Sequence, residues 1–204
     1  MAIGATGGVG LSFTRGEGFS EAIGGHPEQR ELKSAWEAGG YFQSFFYKGI
    51  GFETGFGVIR KGVYWDTDNA YRRQIRILYL EIPLLFKVDR NHFRLAAGMA
   101  YWGAITASHV IWDQDRETER WTDHDWRYVH RHNIGPKVML GLALTFDNVT
   151  IVPSMAFRMH LRNDIDVQHV IEDASEWDRP DSDLLQSRFY SVMIQISLEK
   201  SLRR

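Results

Sequence analysis

The feature that most constrains this chain is a period-two alternation of large apolar residues with polar or small ones. In its clearest stretch, Leu78, Leu80, Ile82, Leu84 and Phe86 fall on one face, and Tyr79, Glu81, Pro83 and Lys87 fall on the other. Successive side chains of a β-strand point to opposite faces, so this pattern predicts a strand with one apolar and one polar face. The same alternation recurs in seven further segments: 3–13, 33–46 (the least regular), 50–61, 93–101, 134–146, 151–161 and 190–198.

The connections between these eight segments alternate between short and long. Short connections lie near Lys48-Gly49, Asp89-Arg90 and Asp147-Asn148, and long ones span 15–32, 63–71, 108–132 and 164–184. Each segment is long enough for the roughly 9–11 residues that a tilted strand needs to cross a bilayer. Short periplasmic turns and long outer loops are typical of outer-membrane barrels. The sequence therefore predicts one all-β domain, 1–204: an eight-stranded antiparallel up-and-down transmembrane β-barrel with short periplasmic turns, long extracellular loops and both ends periplasmic.

The turns provide an independent check on the register. A two-residue hairpin pairs residues of opposite parity, and the polar face does switch parity across Asp147-Asn148 and across Asp89-Arg90. Across Lys48-Gly49 the polar face keeps odd parity, which fits a three-residue loop with Gly49 in the left-handed region. The same arithmetic predicts Glu53 and Glu81 within reach of each other on neighbouring strands.

The composition of the two faces indicates which one meets lipid. One face is an almost unbroken row of Leu, Ile, Val, Phe and Met, and the other is Gly, Ala, Ser and Thr with isolated charges. Small residues suit the crowded interior of an eight-stranded barrel, whereas a soluble barrel would carry its large apolar residues inside. Charges out of water must be paired, so we predict an interior ion-pair network. Its members are Glu37, Glu53, Glu81, Lys87, Arg94, Lys137, Arg158 and His160.

Composition narrows the remaining possibilities. With 24 Lys+Arg against 26 Asp+Glu, the chain has no basic excess for nucleic acid, and with no cysteine it has no disulfide or thiolate chemistry. The glycines of 3–10 resemble a dinucleotide loop but lack the flanking strand and helix, so no nucleotide and no cofactor is expected. An exported barrel needs a signal peptide, and we expect that one was removed.

The stretch from Leu78 to Lys87, LYLEIPLLFK, resembles the hallmark strand of the PorT-like outer-membrane β-barrel family. In that family this strand precedes an aromatic and glycine-containing strand, here Phe93 to Gly103, and Asn133 to Lys137 resembles a later strand opening. The resemblance implies an eight-stranded barrel in the outer membrane of Gram-negative bacteria. PorT itself is linked to type IX protein secretion, whereas most relatives have no assigned activity. The chain departs from the usual apolar ending of such proteins by continuing through Glu199 to Arg204.

The predicted loop 108–132 is the most unusual segment. Trp112, Trp121, Trp126 and Tyr128 lie there among acidic and histidine residues. Exposed Trp and Tyr are typical of binding hot spots, which favours a recognition surface. Alternatively, the strands extend past the bilayer and the aromatics mark the interface or pack inside a hairpin. The histidines have no compact ligand spacing, so no metal is expected.

The sequence thus favours a non-enzymatic integral barrel of the cell outer membrane, with no catalytic residues. It would act through its extracellular loops or as a subunit of an envelope or secretion assembly, with membrane lipid and envelope proteins as partners. The alternative is a lipid-modifying or proteolytic barrel enzyme with a rim site near Ser108 and His109. Such an enzyme needs a nucleophile and a base within hydrogen-bond reach.

Overall fold

The computed structural model describes residues 1–15, 33–66, 71–113, 116–122, 129–162 and 188–202. The strands are β1 (Ala2–Arg15), β2 (Lys33–Tyr47), β3 (Ile50–Asp66), β4 (Tyr71–Arg90), β5 (Phe93–Asp113), β6 (Arg116–Thr122), β7 (His132–Leu142), β8 (Leu144–Phe146), β9 (Val149–Met159) and β10 (Arg188–Ser201). The described residues contain no helix long and apolar enough to cross a membrane.

The strands form a closed antiparallel barrel. Each strand pairs with its neighbours in the order β10, β1, β2, β3, β4, β5, β7, β9, and the additional pairing of β9 with β10 closes the ring. β8 continues β7 after a break at Ala143 and pairs with β9, so these two segments form one wall strand. β6 pairs with β5. Eight strands therefore build the wall, which confirms the predicted fold.

The three short turns lie at one end of the barrel, and two of them differ from the prediction. Asp147-Asn148 forms the predicted turn, since Phe146 pairs with Val149. The second turn is Asn91-His92 and not Asp89-Arg90, because β4 continues to Arg90. Asn91 and His92 both have positive φ (48° and 70°), as two-residue hairpins between twisted strands require. The predicted parity switch is unaffected, since the turn moves by two residues.

The turn after β2 is also tighter than predicted. Tyr47 pairs directly with Ile50, so Lys48-Gly49 is a two-residue turn, and Gly49 has the expected positive φ of 88°. Phe46 is then skipped as a β-bulge between Phe45 and Tyr47. A bulge adds one residue to one strand. The bulge and the two-residue turn together therefore keep the inward face at odd positions on both β2 and β3, as the predicted three-residue loop would.

At the opposite end the strands run further than predicted. β3 extends to Asp66 and β4 begins at Tyr71, so both ends of the predicted loop 63–71 belong to strands. The predicted loop 108–132 is partly a hairpin, because β5 continues to Asp113 and pairs with β6. The predicted loop 164–184 lies outside the described residues.

The two faces of the barrel wall are inverted relative to a soluble protein. Outward positions carry large exposed apolar side chains on every wall strand, for example Val9, Phe56, Leu84, Leu140 and Ile194. Inward positions carry small, polar and charged residues together with buried apolar and aromatic side chains such as Ile59, Tyr79 and Trp102. One apolar cluster crosses the lumen and is formed by Ala35, Leu85, Ala96, Met139, Ala156 and Met193. An apolar outer band around a polar interior is the arrangement of a barrel whose solvent is lipid.

Candidate functional site

The centre of the barrel holds a balanced four-charge cluster: Glu37, Glu81, Lys137 and Arg158. Glu81 Oε2 accepts hydrogen bonds from Arg158 Nε at 2.8 Å and from Trp102 Nε1 at 3.0 Å, and Glu81 also pairs with Lys137. Arg158 reaches Glu37 through Nη2. All four charged residues are at most 8% exposed. Two carboxylates and two cations therefore neutralise each other out of contact with bulk water, as buried charges require.

A second cluster lies nearer the turn end and is centred on Glu199. Arg94 contacts Glu199 through both Nη atoms, with Nη2 to Oε2 at 3.0 Å, and its Nε and Nη2 donate to Asp89 at 2.9 and 2.7 Å. Lys87 Nζ lies 3.6 Å from Glu199 and 3.4 Å from Glu53. Tyr41 and Gln43 each donate to Glu199 at 2.8 Å. This cluster joins five wall strands, β2, β3, β4, β5 and β10, across the lumen.

A third group occupies the lumen towards the outer end. His160 is fully buried, stacks on Trp102 with 4.2 Å between ring centroids, and has its Nε2 2.8 Å from Lys61 Nζ. Lys61 Nζ also lies 4.8 Å from the centroid of the Trp102 ring, within the range of a cation–π contact. Aromatic side chains, including Tyr79, thus fill the lumen above the central cluster.

The interior is filled rather than open. Trp102, Arg158, Tyr79, Lys61 and Lys87 are among the largest fully buried side chains of the protein. An internal cavity beside Glu37, Glu53 and Glu81 measures about 40 Å³, room for a few waters at most. A larger recess of about 340 Å³ opens at the turn end, beside Glu199 and Arg94. This arrangement can neutralise charge and hold the wall strands together.

All eight charged residues selected from the sequence for the interior network point inward and are buried. Glu53 and Glu81, however, are offset along neighbouring strands, since Glu81 lies opposite Gly57 and Glu53 opposite Leu85. Each carboxylate therefore has its own cations.

Sequence reasoning missed Glu199 and Lys61. The period-two alternation could have identified both residues. Glu199 lies at an odd position, like the inward residues Gln195 and Ser197 of the same strand, and Lys61 lies at an odd position, like Glu53 and Gly57.

The aromatic residues selected for recognition are only partly described. Trp112 lies in β5 opposite Glu117, and Trp121 lies in β6 opposite His109. Trp126 and Tyr128 lie outside the described residues. Ser108 and His109, the candidate rim site of an enzyme, are both strand residues of β5.

Comparison with known proteins gives distant likenesses. No protein-family model and no curated protein matches the chain. Among solved structures, it is similar to Ail, the attachment invasion locus protein of Yersinia pestis (8% identity, TM-score 0.44, 97% of both chains covered), and to Neisserial surface protein A (6%, 0.44, 98% of both). It is also similar to the outer membrane protease OmpT from Escherichia coli (10%, 0.38, 98% of this chain and 96% of that one).

These likenesses are too distant to carry a function, and the PorT-like resemblance stays a prediction. The strand pairings and the inverted faces of this chain make it an eight-stranded outer-membrane β-barrel.

Proposed function

We propose that this protein is a non-enzymatic surface receptor, in which a closed barrel anchors a rigid strand extension that binds a protein partner outside the membrane. The observation that carries the proposal is the length of β5. Its 21 residues span about 50 Å of height, at about 3.3 Å per residue and a tilt of about 40°. The apolar band of such barrels is about 25 Å tall. The upper part of β5, with β6, therefore projects well beyond the lipid.

The projection is a sheet and not an isolated hairpin. Asp66 of β3 pairs with Arg72 of β4, Arg72 pairs with Trp112 of β5, and β5 pairs with β6. Four strands thus extend the wall outward as one unit. A preorganised surface loses less conformational entropy on binding than a flexible loop does, which favours affinity.

The sequence of the projecting β5–β6 hairpin suits protein recognition. It contains Trp112 and Trp121 together with Arg116 and Arg120, and Trp and Arg are enriched among the residues that dominate binding energy at protein interfaces. The filled lumen also supports a receptor over a transporter, because it offers no passage that a transport role would need. A place in an envelope or secretion assembly would be one form of this activity, with the partner held by the same hairpin.

The proposal can be tested by recovering partners from the native membrane. The protein, cross-linked in intact cells and purified in mild detergent, should bring down a defined protein partner. The double variant Trp112→Ala/Trp121→Ala should reduce that recovery at least about tenfold, as loss of two hot-spot residues predicts. The matched control is Trp36→Ala, which removes the same residue type from the outward face of β2.

Two results would contradict the proposal. Equal recovery of the partner with the wild-type protein and with the double variant would mean that the β5–β6 hairpin is not the binding site. Turnover of a peptide or lipid substrate that survives in the double variant would favour the rim-enzyme alternative.

A further inference from the structure

The outward apolar rows of β2, β3 and β4 end together at the outer side of the barrel. On β3 the row Phe52, Phe56 and Val58 is followed by Arg60, and on β4 the row that ends at Leu78 is followed by Arg76. Trp36, the last large outward residue of β2, is 40% exposed. Three adjacent strands therefore change from apolar to cationic or aromatic residues at one level.

The strand register brings these three residues into one patch. Trp36 is the direct cross-strand partner of Arg60. Arg60 pairs with Leu78 and Gly62 pairs with Arg76, so the two arginines are diagonal neighbours. Diagonal neighbours in a sheet lie about 7–8 Å apart and are within reach of long side chains. Both guanidinium groups can therefore reach one small anion beside the indole.

A concave pocket lies on this patch. It measures about 190 Å³, and Lys33, Ser34, Trp36, Arg60, Gly62 and Arg76 are among the residues that line it. A Cβ at Gly62 would come within 2.8 Å of the Ile75 carbonyl oxygen and 3.3 Å of Lys33 Cγ, so the close approach of β4 favours glycine at this position. Four of the lining residues are cationic, namely Lys33, Arg60, Arg76 and Lys61, and the Nζ of Lys61 lies beside His160 in the lumen.

The pocket lies at the depth of lipid headgroups. The ten steps along β3 from Ile50, beside the periplasmic turn, to Arg60 give about 33 Å of strand and about 25 Å of height at a tilt of about 40°. That height equals the apolar band of about 25 Å in barrels of this kind. Arg60 therefore lies where the hydrocarbon of the outer leaflet ends.

The charged side chains at the pocket are all cationic. The described residues that line it include no Asp or Glu, and the first acidic residue beyond Arg60 on β3 is Asp66, six residues further along the strand. Arginine binds phosphate through two parallel hydrogen bonds, and tryptophan is the residue that lies at membrane interfaces. We propose that the pocket binds a phosphate of a phosphorylated glycolipid of the outer leaflet, the lipid A type. The inference rests on the orientation of the barrel and not on the proposed receptor activity.

The test uses the full chain, purified in detergent and freed of lipid, and titrates it with purified lipid A and with the dephosphorylated lipid. Native mass spectrometry measures the bound fraction. The wild-type protein should bind lipid A at least about tenfold more tightly than the dephosphorylated form, and Arg60→Gln/Arg76→Gln should lose that preference. The matched control is Arg162→Gln, which removes an exposed arginine from the β9 side of the barrel and should keep the preference.

Several outcomes would overturn the inference, and heat-modifiable migration on a gel first verifies that each variant is folded. Equal binding of both lipids by the wild-type protein would exclude a phosphate site. Retention of the preference in the double variant would place the site elsewhere. Displacement of lipid A by inorganic phosphate would indicate a free-anion site, and equally tight binding of phosphatidylglycerol would indicate a phospholipid site.

Discussion

The central ion cluster makes a quantitative prediction about Glu81. The substitution Glu81→Gln keeps the shape of the side chain but removes its charge, so the cluster changes from two carboxylates and two cations to one carboxylate and two cations. Arg158 keeps its contact with Glu37, whereas the ion pairs of Glu81 with Lys137 and with Arg158 Nε are lost. Removing one partner of a buried ion pair costs about 3–5 kcal/mol. Because proteins are stable by only about 5–15 kcal/mol, Glu81→Gln should lose a large part of the stability.

A second substitution tests whether the loss of stability comes from uncompensated charge and not merely from a change at a buried position. In Glu81→Gln/Lys137→Met the cluster returns to one carboxylate, Glu37, and one cation, Arg158. We therefore expect the double variant to be more stable than the sum of the two single effects by about 1–3 kcal/mol, the range of coupling between contacting residues.

Urea unfolding in detergent micelles measures these differences through tryptophan fluorescence and through heat-modifiable migration on a gel. The assay follows all three variants and the wild-type protein at matched detergent concentration. A cost below about 1 kcal/mol for Glu81→Gln, the level of an exposed ion pair, would mean that water reaches the cluster. Strict additivity in the double variant would mean that Glu81 and Lys137 do not compensate each other.

Three further predictions concern the wall and the lumen. Leu85 is a fully buried inward residue, so Leu85→Ala should cost about 2–5 kcal/mol in unfolding free energy. Its neighbour Leu84 is 62% exposed on the outward face, and Leu84→Ala should cost much less because lipid fills the space that the side chain leaves. Equal costs for the two substitutions would refute the face assignment. Leu80→Arg on the lipid face should cost about 2–4 kcal/mol, and a neutral effect would contradict lipid contact there. The filled lumen predicts no stable stepwise conductance of porin size in planar bilayers, so such steps would refute a closed interior.

Most of the wall could be predicted from sequence, because lipid and a crowded lumen impose opposite demands on alternate residues. The alternation placed Glu81, Arg158 and every other charged residue it selected on the correct face. Alternation does not locate turns, however, since Asp89, Arg90, Asn91 and His92 are all polar. The tolerance of asparagine for positive φ was the available signal for the observed turn.

The missed features have separate physical causes. The pairing of β5 with β6 agrees with one of the two interpretations that the sequence leaves open for 108–132, in which the strands extend past the bilayer. The sequence does not decide between them, because the apolar alternation stops in this segment. Nothing in the sequence marks Phe46 as the bulge, because a residue left out of the strand pairing can be of any type, including aromatic. The sequence does not identify Glu199, because the apolar alternation ends the predicted strand at Leu198, the last large apolar position.

The seam between β1 and β10 has a consequence for how the chain assembles. β1 pairs with β10 from Ala2–Ser201 to Arg15–Arg188, which are the contacts of greatest sequence separation in the described barrel. Contacts that close long loops form late and slowly. β10 also brings Glu199 to Arg94 and the side-chain amide of Gln195 to Glu37, so before β10 docks Arg94 lacks one of its carboxylate partners and Glu37 lacks one of its hydrogen-bond donors. Closure of the ring therefore also completes the neutralisation of the interior, because the strand that closes the barrel carries the carboxylate that Arg94 binds.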